Sequence, residues 1–154
     1  MLSRSLQDPR IMDATRRSDG LLVAIKIVSN NSQELQIAQY LSSITHPDNH
    51  CVSVLDALPD PPDAGRSLLV MPFLRQYNDP ELTAVGEAIH FVTQMLEGLA
   101  FIHGQSVAHR DIGAANVMMD PSPIYPNGFH PVQLSSTPDV IDDAKPLSRL
   151  YHPV

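Results

Sequence analysis

Apolar and polar positions along this chain fall into blocks with different periods. Residues 11–15 (IMDAT) suit a short strand, and residues 21–28 (LLVAIKIV) read as a buried strand broken once, by Lys26. Between them Ser18-Asp19-Gly20 is a turn signal, because Asp-Gly takes positive φ at low cost, so residues 11–28 predict a hairpin. Asn30-Asn31-Ser32 then ends the strand and opens a helix. Leu35, Ile37, Ala38, Leu41 and Ile44 recur at helical spacing. Asn31 can cap that helix, with Glu34 three residues later closing a capping box. Residues 45–50 (THPDNH) are a loop, 52–58 a strand, and 59–65 a turn rich in Pro and Asp. Another apolar strand, 67–71, stops at Pro72, which has no N–H to give a ladder.

The second half has a longer period. Asp79-Pro80-Glu81 suits a helix start, and a long helix is predicted over 83–103. Val85, Ile89, Val92, Leu96, Leu99 and Ile102 step by three or four, and Phe91, Met95 and Phe101 widen the stripe. This pattern predicts a largely buried helix, ended by Gly104. Val107 and residues 117–119 are short apolar stretches on either side of a polar loop. Half of the 14 prolines lie after residue 120, where no period is sustained. Residues 121–154 read as a proline-rich insertion or tail with little regular structure.

Composition narrows the class. The 154 residues are 43 % hydrophobic and 18 % charged, a globular balance. A net charge of −7 argues against a nucleic-acid surface, which needs a basic stripe. Cys51 is the single cysteine, so no internal disulfide forms, which fits a reducing compartment. His46, His50 and His103 have no metal-ligand spacing with it. These histidines are expected to be solvent-exposed or structural, and Asp60, Asp63, Asp139, Asp142 and Asp143 read as loop residues. The first ten residues lack the apolar core of a signal peptide, and no apolar run reaches membrane-spanning length. The expectation is an intracellular, cytoplasmic domain without a nucleic-acid or membrane partner.

Two motifs carry chemistry. His109-Arg110-Asp111 is followed five residues after the Asp by Asn116. This is the H-R-D-x-x-x-x-N pattern, in which an Asp orients an acceptor hydroxyl and an Asn holds a metal ion on the same rigid turn. Chance would produce those four fixed residues on the order of once in a thousand chains of this length. Upstream, Val23-Ala24-Ile25-Lys26 matches the V-A-I-K strand that presents a phosphate-contacting lysine. A helix, two strands, a linker and a long helix lie between the motifs in order.

On these residues the chain resembles the eukaryotic-like protein kinase superfamily. The stretches IMDATRRSDG, NHCVSVLDALPD, LLVMPFL and NVMMDPS resemble the divergent kinase-like domains of mushroom-forming fungi. The resemblance covers roughly residues 11–131 and implies an incomplete α+β, two-lobe kinase-like fold. Residues 1–70 would be a partial N-lobe, 71–78 the hinge, 79–120 the start of the C-lobe, and 121–154 the insertion or tail. ATP would bind between the lobes with Mg²⁺, for transfer to a hydroxyl of an unidentified protein. The resemblance implies that Lys26 contacts the α- and β-phosphates and that Ala24 and Met118 cover the adenine faces. Met71 would be the gatekeeper, and Pro72-Phe73-Leu74 the hinge, with Pro72 and Leu74 offering backbone groups to the adenine edge. Asp111 would be the catalytic base, Asn116 a magnesium ligand, and His109 a packed structural residue. Glu34 would either pair with Lys26 or serve only its capping box.

Three departures stand beside the match. Gly20 is the only glycine before Lys26, so no Gly-rich loop precedes it in this chain. No Asp-Phe-Gly follows Asn116, the nearest acidic pair being Asp142-Asp143 before Ala144. Gly113 stands where serine/threonine kinases usually have Lys, which leaves the acceptor unassigned. These departures support an alternative, a pseudokinase-like or truncated binding module. In such a piece the 83–103 helix would expose apolar surface.

Overall fold

The computed structural model describes residues 9–146, which form two compact units. One contains residues 9–73 with 94–110, and the other contains residues 74–93 with 111–146.

The first unit, the sheet unit, holds an antiparallel four-stranded sheet in the order β1-β2-β4-β3. Its strands are β1 (Ile11–Thr15), β2 (Leu22–Ser29), β3 (Asp56–Pro59) and β4 (Arg66–Pro72). The β1–β2 hairpin forms as the pattern predicts. Gly20 sits at φ +75° in its turn, where the Asp19 carboxylate accepts from the Leu21 amide at 3.1 Å. Helix α1 (Gln33–Ser42) follows, but its N-cap is Ser32, not Asn31. The Ser32 hydroxyl accepts from the Leu35 amide and donates to the Ser29 carbonyl. The C-terminal carbonyls of Leu41 and Ile44 are met by the Asn49 side-chain amide at 2.8 and 2.9 Å. The THPDNH loop thereby closes the helix end.

Register decides what packs on α1. Lys26 pairs with Leu69 and Ala24 with Met71, so both pairs share a sheet face with Val28 and Ala57. Val28, Leu35 and Leu69 form a buried cluster there, with Ala38, Val54, Ala57 and Met71 against it. A second cluster joins Leu41 to Phe101 and Ile102 of helix α2 (Val85–Gly104), with Ile37, Ile44, Cys51, Leu99 and Val107 around it. Strand β3 starts four residues later than the expected position 52. The Leu55 amide donates to the Val70 carbonyl, but residues 52–54 run outside the ladder, and the Val54 amide donates to Ser42 Oγ instead. Asp60 also departs from the expectation of a solvated loop residue. It is buried beside Arg66, in an ion contact of 2.9 Å that lacks hydrogen-bond alignment.

Helix α2 corrects two expectations. Its C-terminal signal is not Gly104, which lies inside the last turn. Ser106 takes the left-handed position at φ +59°, the Val107 amide reaches the Ile102 carbonyl, and the Ser106 amide reaches that of His103. That is a Schellman ending with serine where glycine is usual, and the Val107–Ile102 apolar contact accompanies it. The helix is also not largely buried. Phe101 and Ile102 are, but Val85, Ile89, Val92 and Leu96 are 77, 62, 51 and 61 % exposed. Those four lie on one stripe, and no described residue covers them.

In the second unit, strand β5 (Arg75–Gln76) pairs antiparallel with β6 (Met118–Met119), with Arg75 opposite Met119 and Gln76 opposite Met118. Tyr77 stacks on Phe91 at 4.8 Å. The start of α2 is held by Glu87, whose carboxylate accepts from the amides of Thr83 and Ala84. Residues 120–146 contain no helix and only one isolated bridge, Ser136 to Asp143, as their lack of period implies. They are nevertheless packed. Ile124 is fully buried, and Pro121, Tyr125 and Phe129 are buried with it.

Candidate active site

The site residues divide between the two units. Lys26, Ala24, Met71 and Pro72 belong to the sheet unit, whereas Leu74, Asp111, Asn116 and Met118 belong to the other.

In the sheet unit, the two-residue period of β2 turns Lys26 to the face that carries α1. Its ammonium forms an ion pair with Glu34, in the first turn of that helix. The Glu34 carboxylate therefore serves the lysine, and Ser32 caps the helix without it. Lys26 is the less exposed partner at 22 %, against 45 % for Glu34. A pair this open to water stabilises the fold by about 1 kcal/mol or less, so its consequence is to fix the direction of the lysine. Ala24 sits between Asp13 and Met71 in the ladder. Met71 rests against the Val28–Leu35–Leu69 cluster. Pro72 ends β4 opposite Val23, and the Phe73 amide then donates to the Leu22 carbonyl at 3.3 Å. Leu74 is half-buried beyond it.

In the other unit, Asn116 folds back on Asp111. Its side-chain amide donates to the Asp111 carbonyl at 3.0 Å and to the Asp111 carboxylate at 2.9 Å. The Asn116 backbone amide donates to the Gly113 carbonyl at 2.8 Å, closing the turn between them. Both donations from the side chain use nitrogen, so the Asn116 amide oxygen is the atom suited to a cation. Arg110 enters this turn at φ +64°, a left-handed conformation that few non-glycine residues adopt. Asp111 and Asn116 are exposed, and so is His109, which corrects the expectation of a packed histidine. Met118 follows in β6 opposite Gln76. Among the described residues, no three His, Cys, Asp or Glu side chains are grouped to hold a metal. Burial pushes the Cys51 thiol pKa up, which disfavours its thiolate.

Lys26 thus meets a helix carboxylate in one unit, and Asn116 closes on Asp111 in the other. The protein kinase domain family matches residues 9–125. The chain belongs to the protein kinase domain family.

This kinase-domain chain is 34 % identical over 128 residues to the serine/threonine-protein kinase PkaB of Streptomyces coelicolor, covering 73 % of this chain and 30 % of that one. Among solved structures it is similar to the yeast RNA Pol II CTD kinase CTDK-1 complex, with a TM-score of 0.57, 17 % identity, and coverage of 78 % and 41 %. Rad53 in complex with AMP-PNP superposes with a TM-score of 0.53, 20 % identity, and coverage of 71 % and 30 %. Those likenesses carry the incomplete kinase fold of a β-sheet unit followed by a helix. The chain spans less than half the length of these relatives. Among the described residues, no helix is long and apolar enough to cross a membrane.

One side chain escaped the sequence reading. Arg75 is 3 % exposed and its guanidinium lies over the rings of Tyr125 and Phe129, 4.4 and 4.7 Å from their centroids. Its guanidinium pairs with the Asp79 carboxylate at 2.7 Å and donates to the carbonyls of Asp79 and Leu134. The signal available in sequence was faint. An arginine follows the apolar LLVMPFL strand, and two aromatics four apart stand in an otherwise proline-rich stretch.

Proposed function

We propose that the kinase domain to which this chain belongs transfers phosphate from ATP to a protein hydroxyl. The observation that carries this reading is the Lys26–Glu34 ion pair, because it holds an ammonium ready for phosphate oxygens. Lys26 would bind the α- and β-phosphates. Ala24, Met71 and Met118 would line the adenine, with backbone groups at Pro72 and Leu74 meeting its edge. Asp111 would accept a hydrogen bond from the acceptor hydroxyl and orient it. The names of the relatives lend support, AMP-PNP in the Rad53 complex for the nucleotide and PkaB for a serine or threonine acceptor.

The donor set fits Mg²⁺ incompletely. Asn116 offers one neutral oxygen beside the single Asp111 carboxylate, among the described residues no three His, Cys, Asp or Glu side chains are grouped to hold a metal, and no Asp-Phe-Gly follows Asn116 in this chain. That shortfall favours a second reading, a non-catalytic, pseudokinase-like binding module of kinase ancestry.

Thermal unfolding with ATP and Mg²⁺ tests the first. The phosphotransfer reading expects a rise in Tm that scales with nucleotide concentration and is lost in Lys26→Met. No rise in the unmutated chain, or an equal rise in the variant, refutes it.

A further inference from the structure

We propose that Arg75 is a positioning residue that fixes the exit of the loop carrying Asp111 and Asn116. What that loop does rests on the phosphotransfer reading above; how it is held does not.

The connection runs through two residues of sheet. The Asp111–Asn116 turn leads directly into Val117 and β6. The Val117 carbonyl accepts from the Tyr77 amide at 3.4 Å, and Met119 pairs with Arg75 itself. A two-stranded pair this short does not hold register alone. It is held here by the side chain of one of its members. A buried guanidinium is costly unless its donors are met, and here the fork meets three acceptors from two segments. Asp79 supplies a carboxylate and a carbonyl just after β5, and Leu134 supplies a carbonyl from the proline-rich segment. Tyr125 and Phe129, edge to face at 5.3 Å, both contact the guanidinium.

The segment that brings those groups is itself braced. Asp120 accepts from Ser122, the Ile124 and Tyr125 amides return to the Pro121 carbonyl, and His130 Nδ1 accepts from the Val132 and Gln133 amides. The segment therefore works as a bracket that clamps Arg75, and Arg75 in turn sets where β6 begins. A lysine would keep the charge but could not form the fork or stack in the same plane.

Amide hydrogen exchange on the whole chain, without nucleotide, tests this. In Arg75→Lys and Arg75→Met, exchange at the Asn116 amide and in β6 is expected to quicken on the order of tenfold or more, as loss of a buried charged contact predicts. The amides of β2 serve as a folding control, and Phe129→Leu gives a milder version if the arginine variants do not fold. If residues 124–134 quicken while Asn116 and β6 keep their rates, Arg75 merely anchors the insertion and the proposal is wrong. Because no nucleotide is present, its failure is distinct from failure of the phosphotransfer reading.

Discussion

The sheet unit and the proline-rich segment both bury apolar side chains around a cation, by opposite means. In the sheet unit, backbone ladders and α1 create the packing, and Lys26 ends on a half-exposed carboxylate at its margin. In the segment after β6 almost no ladder exists. There a nearly inaccessible arginine gathers carbonyls, a carboxylate and two rings around itself. Regular structure satisfies its own backbone groups, so its side chains are free to be apolar. Irregular structure must recruit a polar group to organise it. A residue period announces the first arrangement and nothing periodic announces the second.

Core truncation probes the difference most strongly. Leu69 and Ile124 are the largest fully buried side chains described, one in each region. Leu69→Ala is expected to cost about 3 kcal/mol of global stability in urea titration. Ile124→Ala should instead raise local amide exchange within residues 121–136, with a smaller shift of the global midpoint. Equal midpoint shifts would mean that both regions unfold as one cooperative unit.

The next effect is in the backbone. Gly128 lies at φ +73°, and an added Cβ would come within 3.2 Å of the Pro138 ring. Gly128→Ala should cost roughly 1–2 kcal/mol, measured by thermal melting. Ser106 occupies a comparable left-handed position at the end of α2, where a Cβ is disfavoured. Ser106→Gly should therefore stabilise the chain, by about 0.5 kcal/mol. A loss of stability would show that Ser106 does more than end the helix.

The smallest effect concerns the hairpin turn of the sheet unit. The Arg16 guanidinium, followed by the Leu21 amide, lowers the Asp19 carboxyl to about 2. A folded pKa below the unfolded one adds stability above the unfolded value, near 4, and that stability is lost as pH falls through about 2. The difference in Tm between the unmutated chain and Asp19→Asn should be small at pH 6, shrink further with salt, and fade as pH drops through about 2. A difference that does not fade would assign the turn to Asp19 geometry and not to its charge.

Much of the fold was legible because strands and helices repeat. The hairpin, α1, β4 and α2 all follow their apolar periods to within a residue or two, and the two kinase motifs lie at the ends of that series. Caps were less legible. Asn31, Ser32 and Glu34 are all reasonable capping residues, and only the strand beside them decided that Glu34 turns to Lys26. The α2 stripe marked an apolar face correctly. Whether that face is covered depends on what packs against it, and among the described residues nothing does.

By itself, then, the amino-acid sequence determined the order of elements, the family, and which residues carry the kinase motifs. Those follow from local period and spacing, which a linear pattern records. Tertiary structure decided which carboxylate meets Lys26, which residue ends α2, and that a proline-rich stretch closes around Arg75. Each of those is a contact between segments, fixed by burial and hydrogen-bond satisfaction across the fold. No periodicity within one segment encodes its partner.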